Sequence, residues 1–158
     1  MQNTIRQSPL TNEGLKTGHV GINVTDLARA KSFYRNVFGF EVAGEGAEPE
    51  RRFAFLSDNA RLVLTLWEQS AGRFDKTLPG LHHLSFQVET IEQVKEAERR
   101  VRAEGVPLYH DGIVPHSEGA TSGGIFFEDP DGTRLEIYAP ADVTGTAPSG
   151  AAPTCGFF

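Results

Sequence analysis

The sequence predicts an α+β fold of two βαβββ modules, with sheets forming a curved mixed-sheet cleft and helices outside. Three observations carry this. The alternating run HVGINV at 19–24 returns as HLSFQV at 83–88, each run is followed by an amphipathic helical stretch, and each half closes with two strand-like runs around a tight turn.

The elements follow in order. His19 to Val24 alternates apolar with small or polar residues, the pattern of a half-buried strand. Leu27, Ala30, Tyr34, Val37 and Phe38 then recur at helical spacing, with Asp26 placed to cap the start and Gly39 to stop the end. Strands are expected over 52–56 and 61–67, around Ser57-Asp58-Asn59-Ala60. In the second half Thr90 and Gln93 form a capping-box pattern ahead of Ile91, Val94, Ala97 and Val101, and Gly105 closes the helix. The final strands flank Asp129-Pro130-Asp131-Gly132, whose carboxylates read as turn stabilisers. Module one therefore covers 17–67 and module two 81–140 of a single domain over 17–140, with a polar linker over 68–80. Residues 1–16 read as a loosely held arm, and 141–158 as a Gly/Pro/Ala-rich tail, flexible or docked extended, whose Phe157 and Phe158 are placed to dock on a neighbouring subunit.

Composition narrows the function. The 158 residues carry a net charge of −6 with no Lys/Arg cluster, which argues against nucleic acid and anionic lipid as partners. No run approaches membrane-spanning length, and a single cysteine, Cys155, excludes an internal disulfide framework. A cytoplasmic protein acting on a small molecule is expected.

Strand alternation assigns the faces. Val20, Ile22 and Val24, with Leu84, Phe86 and Val88, belong under the helices. The opposite faces carry His19, Asn23, Val63 and Trp67 in module one, and His83, Gln87, Phe126, Glu136 and Tyr138 in module two. That mixture suits a cavity lining, with Asn23, Val63, Trp67, Gln87, Phe126 and Tyr138 as candidate substrate contacts. Two imidazoles and a carboxylate, His19, His83 and Glu136, would form a facial site for a divalent ion with positions left open. Spacing alone leaves a second reading open, in which each histidine is a hydrogen-bonded member of a mixed core.

The stretches GHVGINVTDLARAKSFYRNVFGFEV (18–42), LHHLSFQV (81–88) and FFEDPDGTRLEIYAP (126–140) resemble the vicinal oxygen chelate superfamily, the glyoxalase, bleomycin-resistance and extradiol dioxygenase group. The resemblance spans 17–140 and implies a cup-like cleft, frequent homodimerisation, and metal ligands at His19, His83 and Glu136, with His82 on the other face. Aligning the two turns puts Val63 where glyoxalase I supplies a fourth ligand, and valine cannot ligate. The remaining set resembles that of extradiol dioxygenases, with Fe(II) favoured and manganese, nickel or zinc as alternatives. His116 then matches an outer histidine of the dioxygenase signature and is a candidate acid or base, although the intervening stretch is one residue longer and Phe126 replaces a tyrosine. Gly21, where fosfomycin-modifying transferases carry a hydroxyl, argues against that chemistry. The leading expectation is a ring-cleaving dioxygenase for an oxygen-chelating substrate. A metal-dependent isomerase or lyase, and a metal-free dimer that sequesters a flat drug, are the alternatives.

Overall fold

In the computed structural model, residues 15–158 are described, so the arm expected over 1–16 lies almost wholly outside them. Each half builds the same four-stranded sheet. Module one comprises β1 (Val20–Asn23), α1 (Leu27–Phe38), β2 (Glu41–Gly46), β3 (Phe53–Asp58) and β4 (Arg61–Trp67), in spatial order β1-β4-β3-β2. Module two comprises β5 (Leu84–Gln87), α2 (Ile91–Ala103), β6 (Val114–Pro115), β7 (Gly123–Glu128) and β8 (Arg134–Ala139), in order β5-β8-β7-β6. In both, the first strand runs parallel to the last and the other pairs are antiparallel. The repeated order is that of a duplication. Edge strand β6 is short, as suits a strand ending in Pro115, which has no N–H to donate.

The helix boundaries follow from local chemistry. Asp26 accepts a hydrogen bond from the Arg29 amide at 2.9 Å, and Gly39, at φ +76°, donates its amide to Arg35. Thr90 and Gln93 satisfy each other's backbone amides in a complete capping box.

The helix-side faces of both sheets feed one common core. Phe33, Tyr34 and Val37 of α1 share it with Val94 and Val101 of α2, and with Phe127 and Leu135 of the second sheet. Rings cross the junction, Phe38 lying 4.8 Å from Phe86 and Phe33 lying 6.4 Å from Phe127, centroid to centroid. Polar contacts lock it. Tyr34 donates to Asp129 at 2.9 Å, and Asp131 accepts from the Thr25 hydroxyl, the Thr25 amide and the Arg29 guanidinium. The turn carboxylates expected only to stabilise their own turn thus also tie the modules together. Asp129 does both, accepting the amides of Asp131 and Thr133.

One strand departs from the sequence expectation. In β4, Leu56 pairs with Leu64 and Ser57 with Leu62, so Val63 is the extra residue of a β-bulge. The bulge breaks the alternation and packs Val63 on the core instead of the open face. Of the two states expected for the tail, the docked one is found: Val143 and Thr154 are buried, the Val143 amide donates to Thr121, and the Thr154 amide donates to the His116 carbonyl at 2.6 Å. Among the described residues no helix is long and apolar enough to cross a membrane.

Burial beside Asp129 pushes the Tyr34 phenol well above its ordinary range. Past about pH 10 the unfolded chain releases that proton while the folded chain keeps it, so folding is opposed as pH rises further. Tyr34→Phe is expected to cost about 1–3 kcal/mol near neutrality by leaving Asp129 short of a donor, and to flatten the alkaline limb. Urea unfolding midpoints measured from pH 7 to 11 check both effects.

Candidate active site

The open face of the second sheet is built by residues two apart on its strands. Gln87 and Tyr138 are register partners on β5 and β8, and Phe126 and Glu136 are partners on β7 and β8. Gly123 and Gly124 let β7 lie tightly between its neighbours. A Cβ on Gly124 would overlap the Ile137 carbonyl, and one on Gly123 the Val114 carbonyl.

Glu136 is the buried centre, only 3 % exposed. Its Oε1 accepts a 2.6 Å hydrogen bond from His116 Nε2, and the other ring nitrogen, His116 Nδ1, lies 2.9 Å from the Ser122 hydroxyl. With a neutral ring, Nε2 donates to the carboxylate and Nδ1 accepts from the serine. On the other side Glu136 Oε2 faces His83 Nε2 at 3.5 Å. Burial is the main cause holding the His83 ring below its ordinary pKa, with Glu136 opposing it, so the imidazole is biased toward its neutral, ligating form. A 3.5 Å gap is long for a hydrogen bond between these atoms. Two ligands each about 2.0–2.2 Å from one ion lie within about 4 Å of each other, so the pair fits a shared divalent cation.

His82 does not turn to the opposite face. It precedes β5, where strand alternation no longer governs, and its Nδ1 lies 2.9 Å from His83 Nδ1. Tyr138 donates to Gln87 at 2.7 Å, its ring 5.0 Å from that of His116. Phe126 is fully buried although it sits on the open side, covered in part by His110 and Phe158.

His19 is elsewhere. It is exposed, just ahead of β1 on the first sheet, and no group of three His, Cys, Asp or Glu side chains that could hold a metal ion is found among the described residues. The structure brings His83, His116 and Glu136 together, and does not bring His19 to them within one chain. The first sheet's open face carries exposed Asn23 and an aromatic group, Trp67 with Phe53 at 5.5 Å and Phe55 at 6.0 Å, centroid to centroid. A cavity of about 380 Å³ lies on the flank, lined by Arg73, Tyr109 and Glu128, and its lining includes none of the three grouped residues.

A family model, the Glyoxalase/Bleomycin resistance protein/Dioxygenase superfamily, matches residues 16–137. The chain belongs to that superfamily. A catechol-2,3-dioxygenase of Bacillus subtilis is 26 % identical over 129 residues, covering 80 % of this chain but 42 % of the dioxygenase, so the chain spans less than half of that relative. A glyoxalase/bleomycin resistance protein/dioxygenase domain from Frankia superposes with a TM-score of 0.66 at 25 % identity, over 80 % of this chain and 98 % of the other. A fosfomycin resistance protein of Listeria monocytogenes, complexed with Mn(II), shares the fold at 22 % identity and a TM-score of 0.62, over 81 % and 92 % of the two chains.

Sheet register revises one correspondence. Gly21 pairs with Thr65 as Ser85 pairs with Glu136, so the module-one counterpart of Glu136 is Thr65, two residues beyond Val63. The turn-based alignment missed it because the hairpins differ: Asp58 pairs with Arg61 across two residues, and Glu128 with Arg134 across five. Thr65 is buried and accepts from the Trp67 indole at 3.0 Å. Module one still offers no carboxylate there. Ser122 escaped the sequence reading, whereas Phe158, expected to dock on a neighbouring subunit, instead packs against His82, His83 and Phe126 of its own chain.

Gly124→Ala is expected to push β7 from β8 and cost about 1–3 kcal/mol. Thermal unfolding checks it; an unchanged midpoint would show that the strands have room.

Proposed function

We propose that this chain is a divalent-metal enzyme acting on a small molecule with neighbouring oxygen donors, and that ring cleavage of a catechol-type substrate by dioxygen is its reaction. The carrying observation is the pair His83 Nε2 and Glu136 Oε2, turned toward each other across 3.5 Å on an open sheet face. His83 and Glu136 would hold the ion, and His19 of the partner subunit would complete the set in a homodimer. The exposure of His19 and the half-buried aromatic face of the first sheet in one chain support that arrangement. Fe(II) is the ion proposed, with manganese, nickel or zinc as alternatives. Such an ion supplies Lewis acidity and, when it is iron, redox access to dioxygen.

The protein's own groups then do three things. Ser122 and His116 hold Glu136 in one orientation, so His116, with both nitrogens engaged, is a positioning residue rather than the free acid or base the sequence suggested. Gln87 and Tyr138 offer a fixed amide and phenol at the rim for a substrate oxygen. Phe126 gives an apolar wall that suits a flat ring. Thr65 in place of a module-one carboxylate favours this reading over a four-ligand isomerase or lyase. The aromatic group of Phe53, Phe55 and Trp67 favours a second reading, a metal-free dimer that traps a flat compound.

Mixing variants tests the proposal. Anaerobically purified protein is expected to hold about one iron per chain by mass spectrometry and to consume oxygen with catechol without added reductant, because both oxygen atoms enter the product. His19→Ala and His83→Ala should each lose the metal. An equal mixture, refolded together, should recover about a quarter of the sites, because half of the dimers are mixed and each of those has one intact site. A mixture that stays metal-free would place the site within one chain. A wild-type protein that binds no metal but captures flat aromatics would replace the enzyme with the trap.

A further inference from the structure

The tail contacts two different things. Residues 143–154 brace the loop after β6, through the Val143 amide to Thr121, the Glu118 amide to Gly150, and Thr154 to both Pro115 and His116. The last residues do something else. Phe157 is 68 % exposed, while the next ring, Phe158, turns back onto the open face of the second sheet. It lies 4.7 Å from Phe126, 5.1 Å from Tyr109 and 5.6 Å from His83, centroid to centroid, with the Arg134 guanidinium 5.7 Å from its centre. Arg134 Nε is buried and finds no hydrogen-bond partner. The slot is thus an aromatic floor, an imidazole wall and a cation, and a phenyl ring of this same chain sits in it.

We propose that Phe158 is a tethered competitor, occupying the slot that an aromatic ligand's ring enters beside His83 and Glu136, so that residues 155–158 must swing out for the ligand to bind. This deepens the reading of that face as a small-molecule site and rests on it. The brace stays in place while the gate moves, because Thr154, the last buried tail residue, marks the hinge between them. Gly156 and Phe157 donate within the segment's own turn, to Pro153 and Thr154, while Phe158 meets the sheet through its ring, and such short segments open locally at low cost.

Cys155, the chain's single cysteine, reports the gate without any need for metal or turnover. Cys155 is half-buried in the docked segment, so docking restricts reagent access and slows its alkylation. Iodoacetamide should label Phe158→Ala about tenfold faster than wild type, and Phe158→Leu at an intermediate rate, with Phe157→Ala unchanged and circular dichroism constant throughout. Millimolar phenol should accelerate wild-type labelling saturably and leave Phe158→Ala unaffected. Equal rates in wild type and Phe158→Ala, or no response of the wild type to phenol, would overturn the gate and make Phe158 a fixed piece of packing. A wild-type protein without metal would sink the enzymatic reading and leave the labelling result intact, so the two failures are distinguishable.

Discussion

The joint between the modules governs everything else in this molecule. Two carboxylates from one turn, Asp129 and Asp131, are 4 % and 3 % exposed, and both reach across to module one, where Tyr34, Thr25 and Arg29 receive them. Buried carboxylates are costly unless every lone pair is answered. Here the backbone amides of Asp131 and Thr133, a phenol, a hydroxyl and a guanidinium answer them, so the polar groups fix one orientation of the halves while the shared aromatic core supplies the apolar burial.

That orientation fixes where chemistry can occur. Both sheets turn their helix sides into one core, and within the chain His83, His116 and Glu136 gather on the second sheet without His19. His83, one residue ahead of β5, and Glu136, the partner of Ser85 on β8, meet on the second sheet, while His19 lies just ahead of β1 on the first. On the proposed reading, a site divided in this way would gain its third protein ligand by association, and its assembly would be linked to its chemistry.

Much of this was legible in the sequence because it is governed by local periodicity. The caps at Asp26 and Thr90, the stop at Gly39, and the sorting of Leu135 and Ile137 from Glu136 and Tyr138 each depend on a few neighbouring residues. What could not be read there depends on non-local pairing. The bulge at Val63 is defined only against β3, and the match of Thr65 to Glu136 only against β1 and β5. His82 falls outside its strand by two residues, so a rule of alternation that holds from Leu84 onward assigns it the wrong side. The reach of Asp129 and Asp131 into module one and the docking of the tail are tertiary contacts between segments whose composition reads as turn and linker.

The tail shows what composition leaves open. Glycine, proline and alanine make a segment inexpensive to bend, and such a segment is disordered only when nothing answers its backbone. Here the loop after β6 answers it: His116 and Thr121 carbonyls accept tail amides, and the Glu118 amide donates to Gly150. The loop in turn carries His116 and Ser122, the two groups that orient Glu136. Without the brace, His116 would lie on a loop anchored mainly by the two-residue strand β6, too short to hold an imidazole 2.6 Å from a buried carboxylate. The small-residue tail is thus a structural support for the candidate site's buried carboxylate.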